Sequence, residues 1–261
     1  MVLPTTEENM RISIITPSYN QGRFIRQTID SVLSQNYPDL EYIVCDGGSH
    51  DETVSILKSY GTRIKWVSEK DRGQTDAINK GLRMTTGDII AYINSDDYYL
   101  PETLKKIAEF FKKNPKAQWV TGDYQIVNEK GKPIQQFIVW YKRFLRLFPT
   151  KNMLYFTNFI AQPSTFWRRS HLKTIGLFNE SLRYVMDYEY WLRSIEQFPL
   201  SVIYSPLSVF RIHSLSKGGS QYPKQFSEEL KVLELHTGKI FVYYLHVFSN
   251  RFIVWIYTLI K

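Results

Sequence analysis

From Arg11 to Pro17 the chain runs Ile12, Ile14 and Ile15 through a short apolar stretch that a proline ends, the pattern of a buried strand. Phe24, Ile25, Ile29, Val32 and Leu33 then fall on one face of a helix. Tyr42 to Cys45 reads as a second buried strand, stopped by Asp46-Gly47-Gly48-Ser49. Val54, Ile56 and Leu57 predict a second helix that closes at Gly61. Ile64 to Val67 is a third strand, and Ala77, Ile78, Gly81 and Leu82 mark a third helix. Asp88 to Ile93 is a fourth strand, after which Pro101 opens a helix bearing Leu104, Ile107, Ala108 and Phe111.

Regular alternation of this kind calls for an α/β fold, with a mostly parallel central sheet and helices on both faces. Such sheets bind ligands at the carboxyl ends of their strands. Those ends carry Tyr19-Asn20, Asp46-Gly47-Gly48, Glu69 to Arg72, and Asn94 to Asp97. Beyond them the pattern loosens. Trp119-Val120, Ile126-Val127 and Pro133 to Val139 read as strands, and Trp140 to Phe148 is basic and aromatic. A helix begins near Tyr188 with Trp191, Leu192 and Ile195 on its face, and Arg211 to Gln221 is a polar loop containing glycines. Ile240 to Ile260 is apolar and aromatic, interrupted by His246, Asn250 and Arg251, which suits an interfacial helix better than a membrane span.

Composition narrows the function classes. A 43% hydrophobic and 22% charged chain is an ordinary folded protein, and the 15% aromatic share serves cores, membrane interfaces and sugar sites alike. The single Cys45 excludes an internal disulfide and any cysteine-based metal centre, and fits a reducing compartment. Met1 to Met10 is polar and acidic, unlike a signal peptide, so the expected location is cytoplasmic. The +8 charge favours anions. That charge is spread through helices and loops with no recognition motif, so nucleic acid is not an expected partner. Neither G-x-G-x-x-G after the first strand nor G-x-x-x-x-G-K-[ST] occurs, which disfavours dehydrogenases and P-loop kinases.

The most pointed chemistry is Asn94-Ser95-Asp96-Asp97 directly after a buried strand, where a carboxylate can hold a hard cation against a diphosphate. Alone, the same residues equally well just turn the chain. Read with Thr16-Pro17-Ser18-Tyr19-Asn20, Asp46 to Asp51 and Glu69 to Gly73, in order at successive strand ends, they resemble the family-2 glycosyltransferases. The resemblance runs from about Arg11 to His213. It implies a GT-A nucleotide-binding fold and inverting transfer of a sugar from a nucleotide-sugar donor to a hydroxyl, with Mn2+ or Mg2+ as cofactor.

Carried over by position, the resemblance gives the nucleotide sugar to Pro17, Tyr19, Asp46, Arg72, Asn94, Ser95 and Asp96. Arg72 would face the diphosphate, where a guanidinium offsets charge growing on the leaving group. The metal falls to Asp96 and His213, with Asp97 supporting it and Asp76 a further supporting residue of the site. Asp187 matches the family's catalytic base, with Glu189 in reserve; by local sequence Asp187 would simply cap its helix. Two departures stand out: Gly47 replaces a second Asp common in the family, and Asn94 replaces the first Asp of D-x-D.

Trp167, Tyr190 and Trp191 could stack on acceptor sugar rings, but a Trp at helical spacing is more often core, and Trp191 is assigned there. The implied partners are a UDP-, GDP- or dTDP-sugar and a glycan or lipid-linked acceptor. The expected division is a catalytic domain over residues 1–222, with a donor half to about 123, and a C-terminal helical segment over 223–261. That segment, with Trp140 to Phe148, would lie on an anionic membrane surface at its cytoplasmic face, or pack on its own domain, or form a homo-oligomer. The competing readings are a non-catalytic glycan- or nucleotide-binding relative and a metal-dependent nucleotidyltransferase. The latter's glycine- and lysine/arginine-rich loop after the first strand is missing, since Thr16 to Gly22 holds one glycine.

Overall fold

The first four apolar runs become strands, the first, second and fourth buried on both faces and the third half-covered at the edge of the sheet. A computed structural model of the chain, which describes residues 9–214, 216, 222–237 and 240–259, carries them as β1 (Ile12–Ser18), β2 (Leu40–Asp46), β3 (Lys65–Ser68) and β4 (Ile89–Tyr92). They lie parallel in the order β3-β2-β1-β4. Alternate residues feed two cores, as the period of two demands. Ile12, Ile14, Tyr42, Val44, Ile89 and Ala91 pack under α1 (Ile25–Leu33), α2 (Thr53–Ser59) and α4 (Thr103–Lys113). Ile15, Ile90 and Tyr92 turn to the opposite face, toward α3 (Gln74–Met84). A Cβ on Gly81 would stand 2.4 Å from the Ile15 side chain, so the glycine is what lets α3 settle onto β1.

The amino end of this half is tied by one buried carboxylate. Glu41 accepts from Ser13 Oγ at 2.6 Å, from the Thr86 N–H at 2.7 Å and from Lys65 Nζ at 2.9 Å. Burial alone would raise its proton affinity; the Ser13, Thr86 and Lys65 hydrogen bonds overcome that and hold it at about 2.

The sheet continues through β7 (Thr165–Arg168), β6 (Trp119–Asn128), β8 (Ser201–Ile212) and the short β5 (Tyr98–Tyr99), eight strands in all. β7 runs antiparallel to both β4 and β6, β6 and β8 are parallel, and β5 is antiparallel to β8. Trp119-Val120 and Ile126-Val127, read separately, are two parts of β6.

Pro133 to Val139 is not a strand. Pro133 makes a single bridge to Val127, Gln135 turns left-handed at φ 52°, and α5 (Gln136–Leu145) begins there. α6 (Lys151–Phe156), α7 (Arg169–Ile175) and α8 (Met186–Gln197) follow around the second core. α9 (Tyr222–Thr237) packs on α8, and α10 (Ile240–Leu259) packs on α6 and α9. Among the described residues no helix is long and apolar enough to cross a membrane. Two polar interruptions of α10, His246 and Asn250, point inward, and His246 Nδ1 donates to the Tyr155 carbonyl at 2.8 Å, while Arg251, Tyr244 and Phe248 are exposed.

Candidate active site

The loops after β1 and β2 are stitched into one surface. The Asn20 N–H donates to Ser49 Oγ at 2.7 Å, and Asn20 Oδ1 accepts from the His50 N–H at 2.9 Å. The Gln21 and Gly22 N–H groups reach Thr53 and Asp51 across the same gap. Pro17 is buried in β1, and Tyr19 stands 55% exposed at the rim, free to meet a flat ligand. Asp46 is buried, and its carboxylate is spent on its own turn. It accepts the Gly48 and Ser49 N–H groups and the Ser49 and Ser68 hydroxyls, at 2.5–3.2 Å. Asp46 therefore shapes this loop before it touches anything else.

Gly47 acquires a reason. A Cβ there would lie 2.5 Å from Asp71 Oδ2, so the space of a second Asp side chain is filled by the carboxylate of Asp71. Burial, with the charges of Asp76 and Asp46 adding, raises the proton affinity of Asp71. Position in the Glu69 to Gly73 segment was the only sequence signal for it.

Arg72 leans over the same edge with its side chain 75% exposed, held by Asp76 Oδ1 at 3.1 Å and Glu180 Oε2 at 2.5 Å. Asp76 is buried on the first turn of α3, accepts the Arg72 N–H as well, and is held ionised chiefly by that arginine. Asp76 thus orients Arg72 and leaves the guanidinium's outer side to solvent.

After β4 the chain turns through Asn94, Ser95, Asp96 and Asp97. Thr28 of α1 donates to the carbonyls of both Ser95 and Asp97, pinning the turn. Asp97 is fully buried, accepts the Arg211 N–H at 2.9 Å, and is kept strongly proton-loving by burial and by neighbouring Asp96. Asp96 turns the other way, toward β8, where its Oδ2 lies 2.9 Å from His213 Nε2. Phe24 backs the imidazole with ring centroids 4.6 Å apart. This is a carboxylate and an imidazole converging from two strand ends, a donor set that suits Mn2+. Among the described residues no third His, Cys, Asp or Glu joins them. The glycines expected to close over a diphosphate, Gly218 and Gly219, lie outside the described residues.

Asn94 sits at the hub. It accepts from Gln74 at 2.7 Å and donates to Gln162 at 3.2 Å and to Asp97 at 3.3 Å. Gln162, missed in the sequence, also donates to the Tyr92 carbonyl. An amide can both accept and donate, and a carboxylate here would face buried Asp97 as a like charge.

Asp187 lies in the first turn of α8 but does not cap it. Val185 is the N-cap residue, and Asp187 accepts the Tyr188 N–H at 2.8 Å. Its surroundings push its proton affinity up to about 6, burial first, with Glu229 adding and Lys142 opposing, although part of the residue stays open to solvent. Tyr92, buried at the end of β4, has its proton affinity raised by burial first and then by the charges of Asp187 and Asp97, so both carboxylates lie within electrostatic reach of it. Glu189 is committed elsewhere, in a two-pronged pair with Arg193 at 2.7 and 2.9 Å.

Trp167, Tyr190 and Trp191 do not serve as sugar platforms: all three are 0% exposed and stack in the second core around Phe178 and His171. Removing such a ring costs about 3–5 kcal/mol, so none is free to swing out.

Residues 13–176 match the family described as Glycosyl transferase family 2. An uncharacterized glycosyltransferase of Rickettsia prowazekii (strain Madrid E) is 31% identical over 210 residues, covering 78% of this chain and 64% of that protein. Chondroitin synthase of Escherichia coli is 29% identical over 197 residues, 74% of this chain and 27% of the synthase. The chain thus spans less than two thirds of the length of these relatives. Among solved structures, S. aureus TarS 1-349 in complex with UDP-GlcNAc superposes at TM-score 0.67 with 20% identity, over 85% of this chain and 65% of that one. The mannosyltransferase PcManGT from Pyrobaculum calidifontis, in complex with GDP-Man and Mn2+, superposes at 0.66 with 19% identity, over 90% and 65%. At such identities these two speak for the fold, which is GT-A. The strand-end loops, the acidic turn after β4 and the match across most of the sheet converge on one conclusion: this chain belongs to glycosyl transferase family 2.

Proposed function

We propose that the protein transfers a sugar from a nucleoside-diphosphate sugar to a hydroxyl group, with inversion at the anomeric carbon and Asp187 as the base. The observation that supports this reading is the partly open Asp187 at the start of α8, its proton affinity raised chiefly by burial, within electrostatic reach of the same Tyr92 as Asp97. In one displacement the acceptor oxygen bonds to the anomeric carbon, its proton passes to Asp187, and the carbon–oxygen bond to the diphosphate breaks. A single displacement inverts the carbon, and no covalent sugar–enzyme bond is needed. With a proton affinity near 6, Asp187 is about nine-tenths ionised at pH 7 and still basic enough to draw the proton.

The donor would lie across the strand ends, its nucleoside along Tyr19, Pro17 and the Asp46 loop, with Asp71 facing the base. Arg72 would meet the diphosphate, and Asn94 and Ser95 the ribose side of the turn. Asp96 and His213 would hold Mn2+ or Mg2+, with donor oxygens and water completing a shell of the kind such cations prefer. The metal would supply charge neutralisation at the diphosphate. UDP-, GDP- and dTDP-sugars all suit this arrangement, and the acceptor class is a glycan or a lipid-linked glycan. A non-transferring glycan binder would have no need of a carboxylate of raised proton affinity beside the acidic turn, and a nucleotidyltransferase would need phosphate-binding glycines where Tyr19 and Asn20 stand.

A cytoplasmic, membrane-peripheral placement draws support from α5 and the turn after it. Trp140 is 72% exposed, Phe144 59%, Leu147 52% and Phe148 51%, beside Arg143. Aromatic rings with interleaved cations are what an anionic lipid surface holds. Thermal shift against UDP-GlcNAc, GDP-mannose and dTDP-glucose with Mn2+ tests the core of the proposal. One donor should raise the midpoint in a Mn2+-dependent way, and release of its nucleoside diphosphate should require Asp187. Binding of none of them, or release undiminished in Asp187→Asn, would count against it.

A further inference from the structure

The C-terminal helices reach the turn that leads into the proposed base. Three successive backbone N–H groups in the turn leading into α8 point at one side chain of α9. Arg183 N–H meets Glu228 Oε1 at 3.0 Å, while those of Tyr184 and Val185 meet Oε2 at 2.6 and 3.0 Å. A helix start leaves its leading N–H groups without partners, and the N-cap Val185 has no side-chain oxygen to offer. Glu228 supplies from outside the helix an acceptor for the N-cap N–H and for the two N–H groups before it, and charge-assisted bonds of this kind are the strong ones.

The neighbouring residue fixes α9 in turn. Glu229 is buried and lies 3.3 Å from His246 Nε2 of α10, whose Nδ1 is bonded to the Tyr155 carbonyl of α6. The Tyr188 hydroxyl, one residue past Asp187, donates to the Leu154 carbonyl of α6, and its ring stands 5.7 Å from that of His246. Glu228 therefore holds the turn before Asp187, while Glu229 reaches the residue after it only through the ring of His246.

We propose that Glu228 is a positioning residue of the transfer site, holding the turn from Arg183 to Val185 so that the Asp187 carboxylate meets the acceptor hydroxyl, and that α9 and α10 belong to the catalytic unit. This rests on Asp187 being the base. Misplacing a reacting group by about 1 Å costs on the order of 100-fold in rate, so a lost anchor shows in turnover before it shows in binding.

The test is Glu228→Gln, which keeps the size but puts an NH2 where one of the backbone donors needs an acceptor. Nucleoside diphosphate release from UDP-GlcNAc or GDP-mannose with Mn2+ should fall about 10- to 100-fold in kcat, with donor KM within about twofold of wild type. Glu228→Asp, which keeps the charge on a shorter stem, should recover part of the loss. In an Asp187→Asn background Glu228→Gln should add nothing, because both changes then act on one group. Unchanged kcat in a folded Glu228→Gln, while Asp187→Asn is impaired, would overturn the proposal alone. Wild-type kcat in Asp187→Asn would strike down the base assignment, and this proposal with it. Amide exchange needs no turnover: Glu228→Gln should speed exchange at residues 184–188 and leave β1 and β2 at wild-type rates. Unaltered exchange at 184–188 would equally overturn the proposal.

Discussion

At the scale of single residues the site separates like from like. Asp96 and Asp97 are adjacent, yet one meets His213 near the surface while the other is sealed beneath the turn against Arg211 N–H. Asp96→Ala and His213→Ala should each abolish Mn2+-dependent stabilisation by the donor, whereas Asn94→Asp should lower the melting temperature by placing a second carboxylate about 3 Å from Asp97. A loss of the midpoint shift that is the same with and without Mn2+ would contradict the first expectation. Asp187 carries a further consequence for stability. Its folded proton affinity, about 6, exceeds the ordinary carboxylate value near 4, so the folded state binds the proton more tightly. Stability is therefore lost as pH rises from about 4 through about 6, and the ionised group is a burden at neutral pH. Asp187→Asn should raise stability at pH 7 by about 1–2 kcal/mol, reduced from the full linkage because the group is part open, while lowering activity. Calorimetry at pH 4 and pH 7 checks this, since the gain should vanish at pH 4.

Elements explain which parts of this were visible in the chain. β1, β2 and β4 were legible because burial on both faces makes a strand read as an unbroken apolar run, and the polar residues that stop it are the ones that gather into the site. The start of α5, Gln136 to Val139, reads as part of a strand from Pro133 because Phe137, Trp140 and Phe144 are apolar on the helix's exposed side, which erases the amphipathic period that Ile138, Val139 and Leu145 would otherwise show. The grip of Glu228 on α8 had no local signal at all, since it joins residues 43–45 positions apart. Glu41, also invisible as a motif, ties β1, β3 and the turn before β4 at the end of the sheet away from the proposed site. Its folded value of about 2 lies below the ordinary one, so its contribution is present above about pH 4 and fades as pH falls through about 2. Glu41→Gln should cost about 3 kcal/mol at pH 7 by chemical denaturation, with donor-induced shifts unchanged. A cost near zero would contradict the network's weight.

The whole molecule joins a parallel half, where we place the donor, to an irregular half that carries the proposed base, with His213 at the end of β8 reaching back to Asp96 and Glu228 of α9 holding the turn before Asp187. The roles given to Pro17, Tyr19, Asp46, Arg72 and the Asn94 to Asp97 turn came from position in the family pattern; the structure adds why the departures at Gly47 and Asn94 fit their neighbours. On the outer surface, Trp140→Asp with Phe144→Asp should leave turnover of a soluble acceptor intact and reduce co-flotation with vesicles containing anionic lipid. Equal flotation of both forms would remove the membrane from the account. The central claim, transfer with Asp187 as base, meets its most direct test in the pH dependence of kcat for nucleoside diphosphate release at saturating donor and Mn2+. Wild type should lose about tenfold per pH unit below about 6 and flatten above 7, and Asp187→Asn should run about 100- to 10,000-fold lower with that inflection gone. An Asp187→Asn profile that overlays wild type would contradict it.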